Sequence, residues 1–122
     1  MTLKQIQELN EKFQNSAVQL SELIPSGTLV QATSMVVRST RQIHTLFTSM
    51  LSAPSDIKFH QAMDKMEEEM DEVIFVLDQL EVANKKQQIS LIQDFLKDGY
   101  NLVSVYSKCI DFVLDQKVQK ED

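Results

Sequence analysis

Arg38 and Arg41 stand three residues apart in a stretch, Thr28 to Leu51, that contains no Asp, Glu or Lys. On a helix that spacing lets two guanidinium groups converge on one carboxylate or phosphate, so the chemistry open to them is anion or partner contact. The structural alternative, preferred here, is pairing with an acidic helix of the same chain or of a second copy. Glu67, Glu68, Glu69, Asp71 and Glu72 form an acidic run that could hold a carboxylate-bridged metal pair. Such a centre needs inward Glu residues and Glu-x-x-His pairs on two helices. The residues three before His44 and His60 are Arg41 and Ile57, so a solvated acidic face is expected instead. Met63, Met66 and Met70 offer thioethers of the kind that bind copper(I). Val73 and Leu77 continue the same spacing and cannot ligate a metal, which makes packing the expected role.

His44 opens the run His44-Thr45-Leu46, which resembles the start of the histidine-phosphotransfer motif His-x-Leu-Lys-Gly. Phe47 and Thr48 replace the Lys and Gly, and an ordinary solvated or hydrogen-bonded histidine is preferred. Cys109, near Tyr106 and Ile110, reads as an inert buried thiol rather than a nucleophile. Nucleophile elbows, phosphate-binding loops, dinucleotide fingerprints and zinc spacings are lacking. The expectation is a protein that is not an enzyme and takes no cofactor or metal.

Charge is unevenly spread. Of the formal −6, residues 55–84 contribute −7, from Lys58 and Lys65 against nine acids, while residues 25–54 contribute +2 from the two arginines. Acidity of that kind repels phosphate backbones, so RNA binding is disfavoured unless another surface supplies positive charge. The composition, 43% hydrophobic with two Gly and two Pro, suits one domain over residues 1–122 built from a few long helices. One cysteine allows no internal disulfide and fits a reducing cytoplasm. With no targeting segment and no apolar run of membrane-spanning length in the reading, a soluble cytoplasmic protein without membrane association is expected.

The elements that must position these residues follow from apolar spacing. Thr2 and Gln5 form a capping box before the stripe Leu3, Ile6, Leu9, Phe13, Ala17, Leu20 and Ile24, which Pro25-Ser26-Gly27 closes. Thr28 and Gln31 repeat the box before Leu29, Ala32, Val36, Ile43, Phe47 and Met50, with Thr40 filling a slot of that stripe. Ser55 is the next N-cap, and the third stripe is Phe59, Met63, Met66, Met70, Val73, Leu77 and Leu80, with Asn84 as a left-handed terminal residue. The fourth helix starts between Lys86 and Ser90, where Ser90 and Gln93 offer another box. Its stripe is the widest: Ile89, Ile92, Phe95, Leu96, Leu102, Val103, Tyr106, Ile110, Val113 and Leu114. Gly99 within it marks close helix approach or a kink. Helices over about 2–24, 28–51, 55–83 and 87–118, joined by short connectors, predict an all-α, antiparallel up-down-up-down four-helix bundle.

The second helix is poor in charge and rich in Ser and Thr, which form helices only moderately well in water. Tertiary or subunit contacts covering much of its circumference explain that composition, and the broad band on the fourth helix points the same way. A homo-oligomer is therefore expected, with Thr33, Thr40, Thr48 and Tyr106 at the interface and Arg38 and Arg41 as anion or partner contacts.

The third helix adds a resemblance. Ser55-Asp56-Ile57-Lys58-Phe59-His60-Gln61-Ala62-Met63, then Glu69-Met70-Asp71-Glu72-Val73-Ile74-Phe75-Val76-Leu77-Asp78-Gln79-Leu80, resembles a bacterial family of four-helix-bundle proteins first noticed as reading frames in intervening sequences of 23S ribosomal RNA genes. Phe75, Leu77 and Leu80 match the family's aromatic-x-Leu-x-x-Leu ending, and Phe13, Leu20, Leu23 and Pro25 look like its first helix and connector. The resemblance implies a left-handed bundle, often a ring-like homopentamer, without known enzymatic activity. A related branch, the accessory proteins of diversity-generating retroelements, is basic and binds RNA and a reverse transcriptase. Here Arg38-Ser39-Thr40-Arg41-Gln42 replaces the family's usual Asn and Glu, and the basic surface is missing. The leading expectation is a self-associating, non-enzymatic scaffold whose partner the residues do not name. An RNA-associated accessory protein is the alternative, requiring Arg38, Arg41, Lys85, Lys86, Lys97 and Lys108 to form one positive patch. The phosphotransfer module comes third.

Overall fold

The computed structural model describes residues 1–24 and 26–121, the side chains of 118–121 excepted; Pro25, assigned to the first connector above, lies outside the described residues. Four helices follow one another: α1 (Leu3–Leu23), α2 (Gly27–Leu51), α3 (Asp56–Gln87) and α4 (Ser90–Glu121). Each packs beside its neighbour in sequence and α4 closes against α1; the backbones of the diagonal pairs stay apart, though Tyr106 of α4 reaches across the core to His44 and Phe47 of α2. Lys117, late in α4, reaches Asp56 at the start of α3 (2.6 Å), as antiparallel packing requires. The architecture is the all-α four-helix bundle that the apolar spacing predicts. Among the described residues, no helix is long and apolar enough to cross a membrane.

Two of the expected N-caps are as read. Thr2 Oγ1 accepts from the Gln5 amide while the Thr2 amide donates to Gln5 Oε1 (3.2 and 2.8 Å), and Ser55 Oγ accepts from the amide of Lys58 (3.2 Å). The boxes at Thr28 and Ser90 do not form. Ser26 takes the extended backbone that precedes α2, so Thr28 already lies in the first turn. At α4 the carbonyl of Ile89 accepts the first helical bonds, from Ile92 and Gln93, which puts Ser90 inside the helix.

The third helix also runs past Asn84, its expected end, to Gln87. Asn84 is buried, and its side-chain amide clasps the backbone of Ile89 from both sides, accepting from the amide and donating to the carbonyl (3.0 and 3.2 Å). The left-handed residue is Gln88 (φ 49°), which carries the reversal into α4. Lys85 and Lys86 therefore belong to the last turn of α3, where their charge complements the helix dipole.

Inside the bundle, α1 buries Ile6, Asn10, Phe13, Ala17 and Leu20, and α2 buries, besides Ser39 next to its stripe, Leu29, Thr33, Val36, Thr40, Ile43, Phe47 and Met50. Both sets keep steps of three and four, with polar residues in slots that hydrophobicity alone would not assign. Thr33 and Thr40 fit because each hydroxyl donates to a carbonyl one turn back, Leu29 (2.9 Å) and Val36 (2.8 Å). Met66 and Met70 fill the core from α3, with Met63 half-buried against it. The wide band on α4 is absorbed within the chain, since Leu96, Leu102, Val103 and Tyr106 are all buried. Its breadth is thus explained by contact with α1 and α3 and needs no second copy.

Candidate functional site

The polar residues of the α1/α2 seam form a continuous chain that ends in the core. Arg41 Nε donates to Gln14 Oε1 (3.1 Å), Gln14 Nε2 donates to Asn10 Oδ1 (2.5 Å), and Asn10 Nδ2 donates to both the Thr40 carbonyl (2.9 Å) and Tyr106 Oη (2.8 Å). Tyr106 Oη in turn lies 2.8 Å from His44 Nδ1. Two groups that cannot reverse fix the direction of every bond: the Arg41 guanidinium only donates, and the Thr40 carbonyl only accepts. With both Asn10 amide protons so placed, the Tyr106 proton has His44 Nδ1 as its acceptor. His44 is therefore the neutral tautomer with its proton on Nε2.

Burial supports the same state. His44 is half-buried, and its pKa is held below 6.5 chiefly by loss of solvent, with Glu11 pulling weakly the other way. Tyr106, with no exposed surface, has its phenol pushed up to about 12, first by burial. A protonated Nδ1 would have to donate to the Tyr106 oxygen beside Asn10, and the Tyr106 hydroxyl proton would lose the acceptor it has among the described residues. This arrangement argues against phosphotransfer: the nitrogen with a free lone pair, Nδ1, is occupied, and Nε2 carries a proton.

The linkage has a definite sign. An unfolded His44 takes up its proton near the ordinary histidine pKa of about 6.5, whereas the folded one resists to lower pH. Stability is then flat above that value and falls as pH drops from it to the folded pKa. In urea titrations between neutral pH and the onset of carboxylate protonation, the His44 contribution should stay below about 1.4 kcal/mol per pH unit. The His44→Gln variant should lose that part of the slope; an unchanged slope would place the proton uptake elsewhere.

Arg38 and Arg41 border a surface groove of ≈ 430 Å³ between α1 and α2, lined also by Val18, Val37, Ser34 and Thr45. No acid lines it. Arg41 is exposed and braced by Gln14 through Nε, which leaves its terminal nitrogens available to a further partner; the Arg38 side chain is 76% exposed and meets Glu72 only at 4.0 Å. The expected pairing with the acidic helix is thus a single loose contact in the same chain. Thr40 and Tyr106, assigned above to an oligomer interface, have no exposed surface and are enclosed by the chain's own helices, while Thr33, 3% exposed, lies at the lining of this groove. Thr48 is half-buried, its hydroxyl donating to the Thr45 carbonyl (2.8 Å).

The other basic groups lie elsewhere. Lys85 and Lys97 share a hollow between α3 and α4 with Glu81, and Lys108 stands beside Phe112 at an apolar groove formed with Met1, Leu3 and Leu51. They do not join the arginines, which sit between α1 and α2, in one positive patch. Cys109 lines that apolar groove and is half-buried rather than enclosed, with burial pushing its thiol pKa up. On the outside of α3, Ile57, Asp64, Glu68, Asp71, Phe75, Asp78 and Val82 are all exposed. Their spacing repeats the core stripe on the opposite side of the helix. Tyr100 of α4 donates to the Asp78 and Glu81 carboxylates, and its phenol is raised well above the usual range by burial and by these acids.

Sequence reasoning missed Asn10 and Gln14. The signal was present in spacing, since Asn10 completes Ile6, Phe13, Ala17 and Leu20 in steps of four and three. Comparison with protein families, curated proteins and solved structures finds no match to this chain.

Proposed function

We propose that this chain is a non-enzymatic helical scaffold that associates with further copies of itself and, once assembled, engages another macromolecule. The observation that carries this reading is the outer face of α2. Gln31, Ser34, Arg38, Arg41, Gln42, Thr45 and Ser49 are exposed there, and none is acidic or a lysine. A helix face left in water gains from Lys and Glu, which favour the helix and pair along it. Surfaces that become covered instead lose Lys, Glu and Asp and retain Arg. Exposed Val30 and Met35 flank the face and add apolar area.

The resemblance to the intervening-sequence family favours a homopentamer, and the lone thiol of Cys109 fits a cytoplasmic setting. Separation of the arginines from the lysines weighs against the ribonucleoprotein alternative, which calls for one positive surface. Ser34→Glu with Thr45→Glu tests the reading, because both residues are exposed and glutamate suits a helix better than either. Light scattering at tens of micromolar should show association lost while circular dichroism and thermal midpoint stay close to the parent. Association undiminished by the two charges would remove the α2 face from the account.

A further inference from the structure

We infer that the arginine groove between α1 and α2 receives the acidic outer stripe of α3 from a second copy of this chain. The inference rests on the scaffold reading and names its two contacting faces. Glu68, Asp71 and Phe75 follow one another at steps of three and four on the exposed side of α3, and Phe75 is 61% exposed. An aromatic ring held outward on the most acidic helix, with carboxylates before it, has the form of an anchor bracketed by charge.

The groove supplies the complement. Val18 and Val37 give it an apolar lining, Ser34 and Thr45 give it small polar walls, and Arg38 and Arg41 border it at the same three-residue spacing as Glu68 and Asp71. The surfaces cannot meet within one chain. The α3 stripe lies opposite that helix's core stripe, so it points away from α2, and the loose Arg38 to Glu72 contact comes from the side of α3, outside this stripe. Because the faces differ, the contact is heterologous and runs head to tail, so each copy uses both. Charge complementarity between a segment of −7 and one of +2 orients the approach, and Phe75 in the groove supplies the apolar burial.

Charge reversal tests the pairing. Arg38→Glu with Arg41→Glu spoils one face, and Glu68→Lys with Asp71→Lys spoils the other; all four side chains are at the surface or, for Arg38, largely in solvent, so circular dichroism should report an unaltered bundle. Each variant alone should sediment as the 14.0 kDa chain, and an equimolar mixture should assemble again, because each reversed face meets its reversed partner; strict alternation closes only in even-numbered rings, so the mixed species should be an even multiple of 14.0 kDa whatever the parent's number. Variants that keep the parent's mass would overturn this pairing while leaving self-association standing through another face. Variants that dissociate but fail to recombine would also overturn it. A parent chain that is monomeric at tens of micromolar would remove the scaffold reading together with the inference.

Discussion

Replacing Asn10 by Ala should lower stability by about 3 kcal/mol, a fall of roughly 10 °C in thermal midpoint for a chain of this size. Asn10 is 1% exposed and holds three partners at once: Thr40 of α2, Tyr106 of α4 and Gln14 of α1. Removing its amide opens a small void and strips the Tyr106 oxygen and the Thr40 carbonyl of a donor inside the core, where lost bonds cost most. The loss should be strongly non-additive. Tyr106→Phe alone removes the hydroxyl that Asn10 and His44 address, yet Asn10→Leu with Tyr106→Phe takes away both partners and replaces them by apolar volume. A double-mutant cycle by urea unfolding should therefore find the pair less damaging than the sum by about 1 kcal/mol or more. Additive losses would mean that Asn10 and Tyr106 do not share a network.

Gly99→Val should cost about 3 kcal/mol, because the backbone of α4 approaches its neighbours too closely to admit a side chain. A Cβ at Gly99 would lie 2.8 Å from Leu77 Cδ1 and 3.0 Å from Phe13 Cζ. Neither has room to retreat: Leu77 is fully buried, and Phe13 is stacked on Phe95 with ring centres 4.8 Å apart. Gly99→Ala separates close approach from the alternative of a kink. Alanine improves the helix by about 1 kcal/mol, so a mere kink or an idle glycine would yield a stabler protein. Close approach predicts that the added methyl offsets that gain and leaves the variant less stable than the parent, measured by chemical denaturation. A stabilised Gly99→Ala would refute the packing explanation.

The apolar residues of the fold were legible because their spacing matches the helix repeat, and Phe59, Met66, Met70, Val73, Leu77 and Leu80 are buried as that spacing requires. The polar members of the same stripes were harder to read. Leu9 is hydrophobic and Asn10 is not, so a reading by polarity gives the slot to Leu9, while the steps around Ile6 and Phe13 point Asn10 inward. Thr40 fills the stripe slot its spacing gives it, and Thr33 looks like a surface residue until its hydroxyl is seen donating to the preceding turn, which lets a threonine pack as a small apolar residue. Asn84 reads as a helix stop for the same reason that it is not one: its short amide side chain bonds to backbone, here that of Ile89 across the turn.

Of the candidate site, Arg38 and Arg41 were visible as the only charges of their helix, but what surrounds them was not. The bracing of Arg41 by Gln14 joins residues 27 apart in sequence, and the Asn10 to Tyr106 bond joins residues 96 apart. Local spacing carries no signal for either. Phe75 was read as a family match in the third helix together with Leu77 and Leu80, although it stands outside their stripe, and its 61% exposure separates it from those two core residues. Composition did foreshadow the face itself, since a stretch from Thr28 to Leu51 without Asp, Glu or Lys is anomalous for a solvated helix.

Sedimentation equilibrium of the parent chain, from low to tens of micromolar concentration, tests self-association most directly. The scaffold account predicts a mass that rises to a multiple of 14.0 kDa and falls back when salt screens the arginine and carboxylate faces. A single species of 14.0 kDa at every concentration would contradict it.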